Sequence, residues 1–158
     1  MRKEIVIRLA VAIAVCWIPG LAGSVFTSSA VDSWYRELEK PWFNPPSWVF
    51  GPVWSVLYLG MGIALYLIWT HGDRSARWRG LMAVFVLQLA LNGAWSLAFF
   101  GMESPIAGLI VIMPLLTLIL VTIVLAWPFS RIASLLFAPY SLWVGFATLL
   151  NYAIWQLN

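Results

Sequence analysis

The chain has 158 residues, of which 63% are hydrophobic and only 9% are charged, and its mean hydropathy is +0.91. Soluble domains carry about 25% charged residues, so this composition excludes a soluble protein and indicates an all-α membrane protein. The net charge of +3 is modest and gives no sign of nucleic-acid binding.

Five apolar segments are long enough to cross a bilayer, whose hydrocarbon core is about 30 Å thick and needs roughly 20 helical residues. They cover about residues 5–26, 48–69, 81–101, 106–127 and 133–157. A cleaved signal peptide is the alternative for the first segment, but the run is longer than the ~7 to 15 residues of a signal-peptide core. We therefore predict a single membrane domain over residues 1–158, a bundle of five transmembrane helices joined by short loops.

Lysine and arginine residues are distributed unequally between the two ends of this bundle. Only Arg36 and Lys40 fall on the side away from the N-terminus. The seven on the other side are Arg2, Lys3, Arg8, Arg74, Arg77, Arg79 and Arg131. Because cytoplasmic loops carry the excess of basic residues, we predict a cytoplasmic N-terminus and an external C-terminus.

The segment between the first two helices, residues 32–47, combines prolines with tryptophans and charged residues. Pro41, Pro45 and Pro46 exclude a continuous helix, because proline lacks an amide hydrogen and fixes φ. Amphipathic aromatic rings favour the boundary between water and hydrocarbon. We predict that this segment, called the lid below, is a structured loop covering the external end of the bundle.

The third predicted helix carries Gln88, Asn92 and Trp95 on one stripe, since these residues are spaced by four and three. Buried amides in hydrocarbon need hydrogen-bond partners, so the stripe should face the bundle interior or a cavity. Two interpretations remain open: hydrogen bonds between helices that only stabilise the fold, and contact with a ligand.

Small residues occupy the opposite stripe of the same helix: Ala83, Ala90, Ala94 and Ala98. Small side chains let helices approach closely, so this stripe predicts a helix–helix interface within the chain or with a second copy. We expect a homodimer interface, because the polar stripe is already committed to the interior.

Aromatic residues recur on the inner faces of two further helices. Trp54 and Tyr58 share one face of the second helix. The fifth helix carries four residues on one face at spacings of three and four, and we expect this face to point inward: Tyr140, Trp143, Ala147 and Asn151. Aromatic rings beside amides describe a pocket for a flat apolar ligand with a few polar groups, and we expect Trp54 and Trp143 on its opposite walls.

Acid–base and metal chemistry find little support in the sequence. The single histidine, His71, lies in a basic loop, and no aspartate or glutamate falls inside a predicted membrane segment. Cys16 is the only cysteine, and no glycine-rich phosphate loop or Cys/His cluster occurs. We predict no metal site and no secondary active transporter.

Several motifs follow one another along the chain. The most specific is W-Y-x-x-L-x-K-P-x-x-x-P-P at residues 34–46. It is supported by P-V-W-S-V-L-Y at 52–58, L-A-L-N-G-A-W-S at 89–96, F-F-G-M at 99–102, A-P-Y-S-L-W at 138–143 and L-N-Y at 150–152. In these motifs the chain resembles the tryptophan-rich sensory protein and translocator protein family, TspO/MBR, in its bacterial form.

The resemblance implies a five-helix bundle, commonly a homodimer, that binds porphyrins such as protoporphyrin IX and other haem-type tetrapyrroles without an obligatory cofactor. It also implies binding of lipophilic molecules such as isoquinoline carboxamides and benzodiazepines. Family ligands lie among the helices beneath the first loop. The positions that this implies are Tyr35, Pro45, Trp54, Asn92, Trp95, Trp143 and Ala147.

Three functions share such a cavity. The leading expectation is a membrane receptor or sensor that binds tetrapyrroles and affects their level or transport, in a bacterial inner membrane. One alternative is an enzyme that degrades protoporphyrin in light and oxygen, with Trp54 and Trp143 as its catalytic redox partners. Another is a passive carrier of lipophilic molecules.

Sterol-binding members of the family carry a C-terminal L/V-x-Y-x-R/K pattern. This chain lacks it, because Gln156, and no basic residue, follows Tyr152.

Overall fold

The computed structural model describes residues 2–158, and this range contains only helices, turns and loops. Five helical spans are long and apolar enough to cross a membrane. They are Arg2–Val31, Ser47–His71, Ala76–Gly101, Pro105–Ala126 and Arg131–Leu157. The predicted all-α architecture with five membrane helices is confirmed.

The α-helices that build the described part of the chain are numbered in chain order. They are α1 (Arg2–Val31), α2 (Trp34–Glu37), α3 (Phe50–His71), α4 (Ala76–Ser96), α5 (Pro105–Ala126), α6 (Arg131–Leu136) and α7 (Ala138–Leu157). A 3₁₀ turn, Ser47–Val49, leads into α3, and a π-helical segment, Leu97–Gly101, continues α4.

Three helices differ from the sequence-based bounds, and the third begins at Ala76 rather than at residue 81. The first runs beyond residues 5–26 at both ends, from Arg2 to Val31, and Ser24 Oγ near its C-terminus donates to the Leu21 carbonyl at 2.7 Å. The last predicted helix, residues 133–157, is two helices that meet at Phe137. Pro139 lies in the first turn of α7, where its missing amide hydrogen costs no hydrogen bond.

Serine caps begin three successive helices. The Oγ atoms of Ser75, Ser104 and Ser130 accept backbone N–H bonds three residues ahead, at 3.2, 3.3 and 3.2 Å. Each cap satisfies one of the amide groups that a helix start leaves unpaired. Because the connecting segments are short, consecutive membrane helices run antiparallel as neighbours.

The helices form a closed ring. The first helix, α1, packs against α3 and α4, α5 packs between α4 and α7, and α6 packs on α3. Gly62 allows the closest approach of α1 and α3, since a Cβ there would lie 2.6 Å from Ile13 Cα. The centre of the ring is filled by fully buried side chains, among them Met61, Phe85 and Phe137.

The lid is an ordered loop. Tyr35 donates its hydroxyl hydrogen to Asn44 Oδ1 at 2.9 Å, and burial raises the pKa of this phenol. Asn158 fastens the loop to the end of α7, because its side chain accepts from the Glu39 amide and donates to the Glu39 carbonyl, both at 3.0 Å. These bonds hold the lid over one end of the bundle.

Candidate ligand-binding site

A cavity of about 440 Å³ lies between α1, α3, α4 and α7 at the lid end of the bundle. Small-molecule pockets typically measure about 300 to 1,000 Å³, so the cavity is large enough for such a ligand. Five of the residues predicted to contact a ligand line it: Tyr35, Trp54, Asn92, Trp95 and Ala147. The fold thus brings together side chains from four separate elements.

Pro45 and Trp143 are not brought to this cavity. Trp143 instead lines a shallow outer groove of about 560 Å³ between α3 and α7. The reason is Phe50, which lines the cavity and packs edge-on against the Trp143 indole, with ring centroids 5.8 Å apart. The expectation that Trp54 and Trp143 form opposite walls of one cavity is therefore not met by this geometry.

Asn92 links three helices at the cavity. Its Oδ1 accepts the Tyr58 hydroxyl hydrogen at 2.8 Å, and its Nδ2 donates to the Tyr140 oxygen at 2.9 Å. Both tyrosines and Asn92 are buried. Asn92 therefore stabilises the contact of α3, α4 and α7, and its remaining amide hydrogen and lone pair are the groups that a ligand could use.

A second pair of polar side chains lies closer to the lid. Trp95 donates its indole Nε1 hydrogen to Asn151 Oδ1 at 3.2 Å, and Asn151 Nδ2 donates to the Pro105 carbonyl at 2.7 Å. Trp95 and Asn151 both line the cavity. Their hydrogen bonds join α4 and α7 to the start of α5 and fix the orientation of the indole ring.

Gln88, the third residue of the predicted polar stripe, does not line the cavity. Its side chain is fully buried, with Nε2 4.0 Å from Met61 Sδ, and its Oε1 has no hydrogen-bond partner among the described residues. A buried polar atom needs a hydrogen-bond partner to offset its loss of hydration. The stripe therefore contributes Asn92 and Trp95 to the site and Gln88 to the interior.

Stacked aromatic pairs form the cavity walls. Trp54 stacks on Tyr58 with centroids 5.4 Å apart and an interplanar angle of 25°, and Trp95 stacks on Phe99 at 5.4 Å and 20°. All four rings line the cavity. Such pairs lower the rotational freedom of the indoles before any ligand arrives, which favours binding of another flat ring.

Sequence reasoning missed the contribution of α1 to the site. Gly20, Ser24, Thr27 and Ser28 line one side of the cavity. The Thr27 hydroxyl donates to the Gly23 carbonyl at 3.0 Å, so it presents its oxygen lone pairs and methyl group rather than a free hydrogen. The spacing of Ser24, Thr27 and Ser28 by three and four was the available signal for this face.

Exposed residues from α1 and α3 mark a candidate entrance to the cavity. Ser24 and Ser28 on α1 and Gly51 on α3 line the cavity and are also exposed on the outer surface. A side chain at Gly51 would meet no atom within 4 Å. We call this candidate entrance, bounded by Ser24, Ser28 and Gly51, the α1–α3 slot.

The alanine stripe of α4 divides into two parts. Ala83 and Ala90 are exposed and Ala94 is half-buried, whereas Ala98 is only 6% exposed. At about 100° per residue, Ala98 points about 60° away from Ala83 around the helix axis. Ala98 also lies in the π-helical segment. Ala98 therefore belongs to the interior, which corrects its assignment to a dimer surface.

The cavity is lined by neutral side chains. Among residues 2–158, no charged side chain lines it, and no group of three His, Cys, Asp or Glu side chains could hold a metal ion. Its walls offer indole and phenyl faces, amides and hydroxyls. These groups suit a flat, mostly apolar molecule with a few hydrogen-bonding atoms.

Comparison with known proteins agrees with this architecture. The sequence model of the TspO/MBR family matches residues 12–156. The tryptophan-rich protein TspO of Archaeoglobus fulgidus is 43% identical over 155 residues, covering 97% of this chain and 98% of the relative. The protein of the same name from Chlorobaculum tepidum is 43% identical over 158 residues, covering 100% and 99%.

A eukaryotic relative matches over a similar length. The human translocator protein is 34% identical over 154 residues, covering 90% of this chain and 91% of the relative. The match therefore extends through all five membrane spans. The chain is an integral membrane protein that belongs to the TspO/MBR family, and this membership indicates a membrane sensor or receptor.

Proposed function

We propose that the chain is a receptor or sensor for tetrapyrroles such as protoporphyrin IX, which it binds in the cavity beneath the lid, and that it thereby affects their level or transport. The observation that carries this proposal is that one cavity contains two indole rings, Trp54 and Trp95, together with the uncharged amide of Asn92. Each indole is stacked on a neighbouring aromatic ring. A porphyrin macrocycle is flat, aromatic and apolar, and indole faces bind such rings by dispersion and offset stacking.

The carboxylates of a porphyrin suggest its orientation. Buried carboxylates are costly without a cation or several hydrogen bonds, and the cavity walls supply no cation. Lys40 Nζ lies 5.0 Å above the ring of Tyr35, which lines the cavity from the lid. We therefore place the macrocycle among the helices and its carboxylates toward the lid, near Lys40.

Other lipophilic ligands fit the same proposal. Isoquinoline carboxamides and benzodiazepines are lipophilic molecules that carry aromatic rings and carbonyl groups. Asn92 can donate its free Nδ2 hydrogen to such a carbonyl oxygen, while Trp54 and Trp95 contact the rings.

The test is a dark titration of the purified protein with protoporphyrin IX in lipid nanodiscs, followed by quenching of tryptophan fluorescence. We expect saturable quenching that an isoquinoline carboxamide reverses by competition. Quenching no greater than that of free tryptophan added to empty nanodiscs would contradict the proposal, because it would reflect partition of the porphyrin into lipid alone.

A second candidate function is light-dependent degradation of the porphyrin, in which dioxygen is the oxidant and the porphyrin is oxidised. The observation in its favour is that Trp54, an easily oxidised side chain, lines the cavity itself. Trp143 lies behind Phe50, so a redox role for it would have to act across that ring. Illumination in air should then produce a new pigment with wild-type protein, and Trp54→Phe should retain porphyrin binding without forming it.

We further propose a homodimer that uses the accessible part of the α4 stripe, Ala83, Ala90 and Ala94. Small exposed residues on a membrane helix allow another helix to approach closely.

The passive-carrier alternative would need the ligand to exchange freely between the cavity and the membrane. Variants of the α1–α3 slot test this exchange.

We also propose a bacterial inner membrane with the N-terminus in the cytoplasm, supported by the seven-to-two distribution of basic residues. Ser75 begins α4 in a loop at the basic end. A cysteine introduced in its place should react with a membrane-impermeant maleimide only in inside-out vesicles. Labelling in intact cells would reverse the orientation.

A further inference from the structure

Three arginine–tryptophan pairs lie at the end of the bundle opposite the lid. They are Arg8 over Trp69, Arg74 over Trp78 and Arg131 over Trp127, with guanidinium carbons 5.9, 5.0 and 5.5 Å from the ring centroids. The six residues come from α1, α3, α4, the α3–α4 loop, α6 and the end of α5. The pairs therefore surround the bundle, and we call them the Arg–Trp belt.

The charge of the bundle is concentrated at the same end. Seven basic residues and two acidic residues, Glu4 and Asp73, give this end a net charge of +5. The lid end has two basic residues and four acidic ones, a net charge of −2, and the two ends together account for the net +3 of the chain. The belt thus lies in a strongly positive surface, while the opposite end is negative.

The belt has a built geometry beyond its charge. The Trp78 ring is held by a hydrogen bond from its Nε1 to the Ile68 carbonyl at 3.0 Å, and Gly72 leaves room for it, since a Cβ there would collide with the indole. An arginine stacked on a fixed ring keeps its planar edge of N–H donors free. That edge matches the oxygen atoms of a phosphate in a bidentate arrangement.

We propose that the Arg–Trp belt is a binding site for the phosphate groups of anionic phospholipids. Tryptophan rings at the end of a membrane helix lie at headgroup depth, so they hold the guanidinium groups of Arg8, Arg74 and Arg131 where lipid phosphates are found. A positively charged segment beside the membrane also attracts anionic lipid over a Debye length. This inference is independent of the ligand proposed for the cavity.

The test uses the full chain reconstituted in phosphatidylcholine vesicles that contain either spin-labelled phosphatidylglycerol or spin-labelled phosphatidylcholine. The immobilised fraction of each label gives their relative affinity for the protein surface. We expect the wild type to prefer phosphatidylglycerol. The triple variant Arg8→Gln/Arg74→Gln/Arg131→Gln should lose most of that preference, by up to about fivefold per arginine.

A matched control separates the belt from diffuse positive charge. Lys3, Arg77 and Arg79 lie at the same end but form no cation–ring pair in the described part of the chain. Their triple glutamine variant removes the same number of positive charges as the belt variant. The proposal expects a clearly smaller loss than in the belt variant, and an equal loss in the two variants would overturn it.

Two further measurements keep the result interpretable. The variant Arg8→Lys/Arg74→Lys/Arg131→Lys keeps the charge but loses the planar guanidinium fork, so we expect an intermediate preference for phosphatidylglycerol. Full wild-type preference would contradict the stacked geometry.

Adding inorganic phosphate should displace no more lipid than chloride at equal ionic strength. Specific displacement by phosphate would instead identify a site for soluble phosphate and overturn the assignment to lipid.

Discussion

Tyr58 and Asn92, which are 34 residues apart in the sequence, are joined by a hydrogen bond of 2.8 Å between the phenol oxygen and the amide Oδ1. Asn92 also donates to Tyr140, so the amide connects three helices inside the membrane span. The same amide borders the cavity. One side chain therefore both joins three helices of the bundle and lines the cavity.

We expect Asn92→Leu to lower the free energy of unfolding by about 1 to 2 kcal/mol, because two tyrosine hydroxyls lose their partner in hydrocarbon. Unfolding in sodium dodecyl sulfate measures this change. A double-mutant cycle with Tyr58→Phe should give a coupling energy of about 0.5 to 1.5 kcal/mol. Strict additivity of the two substitutions would mean that their bond contributes nothing in the membrane.

Gly108 tests the packing beside the second polar pair. A Cβ at this position would lie 2.6 Å from Asn151 Oδ1 and 2.8 Å from Phe99 Cδ2. We expect Gly108→Ala to destabilise the protein by about 1 to 3 kcal/mol through overpacking. Gly145→Ala is the matched control, because a side chain there meets no atom within 4 Å and replacing a helical glycine should be neutral or stabilising. Equal stability of the two variants would contradict the close contact at Gly108.

The α1–α3 slot predicts how a ligand reaches the cavity. Gly51 lies where the slot meets the cavity, so Gly51→Phe should slow both association and dissociation severalfold, with a smaller change in the equilibrium dissociation constant. Stopped-flow fluorescence with protoporphyrin IX gives both rates. Gly145→Phe, on α7, should leave them unchanged. Wild-type rates in the Gly51 variant would place the route elsewhere, for example through the lid.

The exposed part of the alanine stripe predicts the dimer surface. Replacing Ala83 and Ala90 together with leucine should raise the dissociation constant of the dimer in detergent by about tenfold or more, since close approach of two helices depends on small residues. Analytical ultracentrifugation measures this change, and Gly145→Leu is the control. A double variant that dimerises like the wild type would show that the stripe faces lipid.

The sequence predicted the five spans because each is a long apolar run, and the lid because prolines interrupt helix there. Periodicity also predicted that Asn92, Trp95 and Ala147 face inward. It could not predict that Phe50 would cover Trp143, since spacing along α7 says nothing about a ring supplied by α3. Contacts between distant elements decide which inward residues border the same cavity.

Other features left no clear signal in the sequence. The break at Phe137 lies within a continuous apolar run, so hydropathy alone does not reveal it. The π-helical segment Leu97–Gly101 follows α4 without a distinctive residue pattern, and it helps to turn Ala98 inward. On α1, the spacing of Ser24, Thr27 and Ser28 is only a weak signal for a cavity face, because hydroxyls that bond to their own helix carbonyls can also face lipid.

The most direct test of a tetrapyrrole site in this cavity is the dissociation constant of protoporphyrin IX, measured in the dark for Trp54→Ala and Trp143→Ala. Trp54 lines the cavity, whereas Trp143 lines the outer groove behind Phe50. We expect Trp54→Ala to weaken binding by about threefold to tenfold, which corresponds to the loss of an aromatic pair, while Trp143→Ala stays within about twofold of the wild type. Wild-type affinity in Trp54→Ala would contradict binding in this cavity.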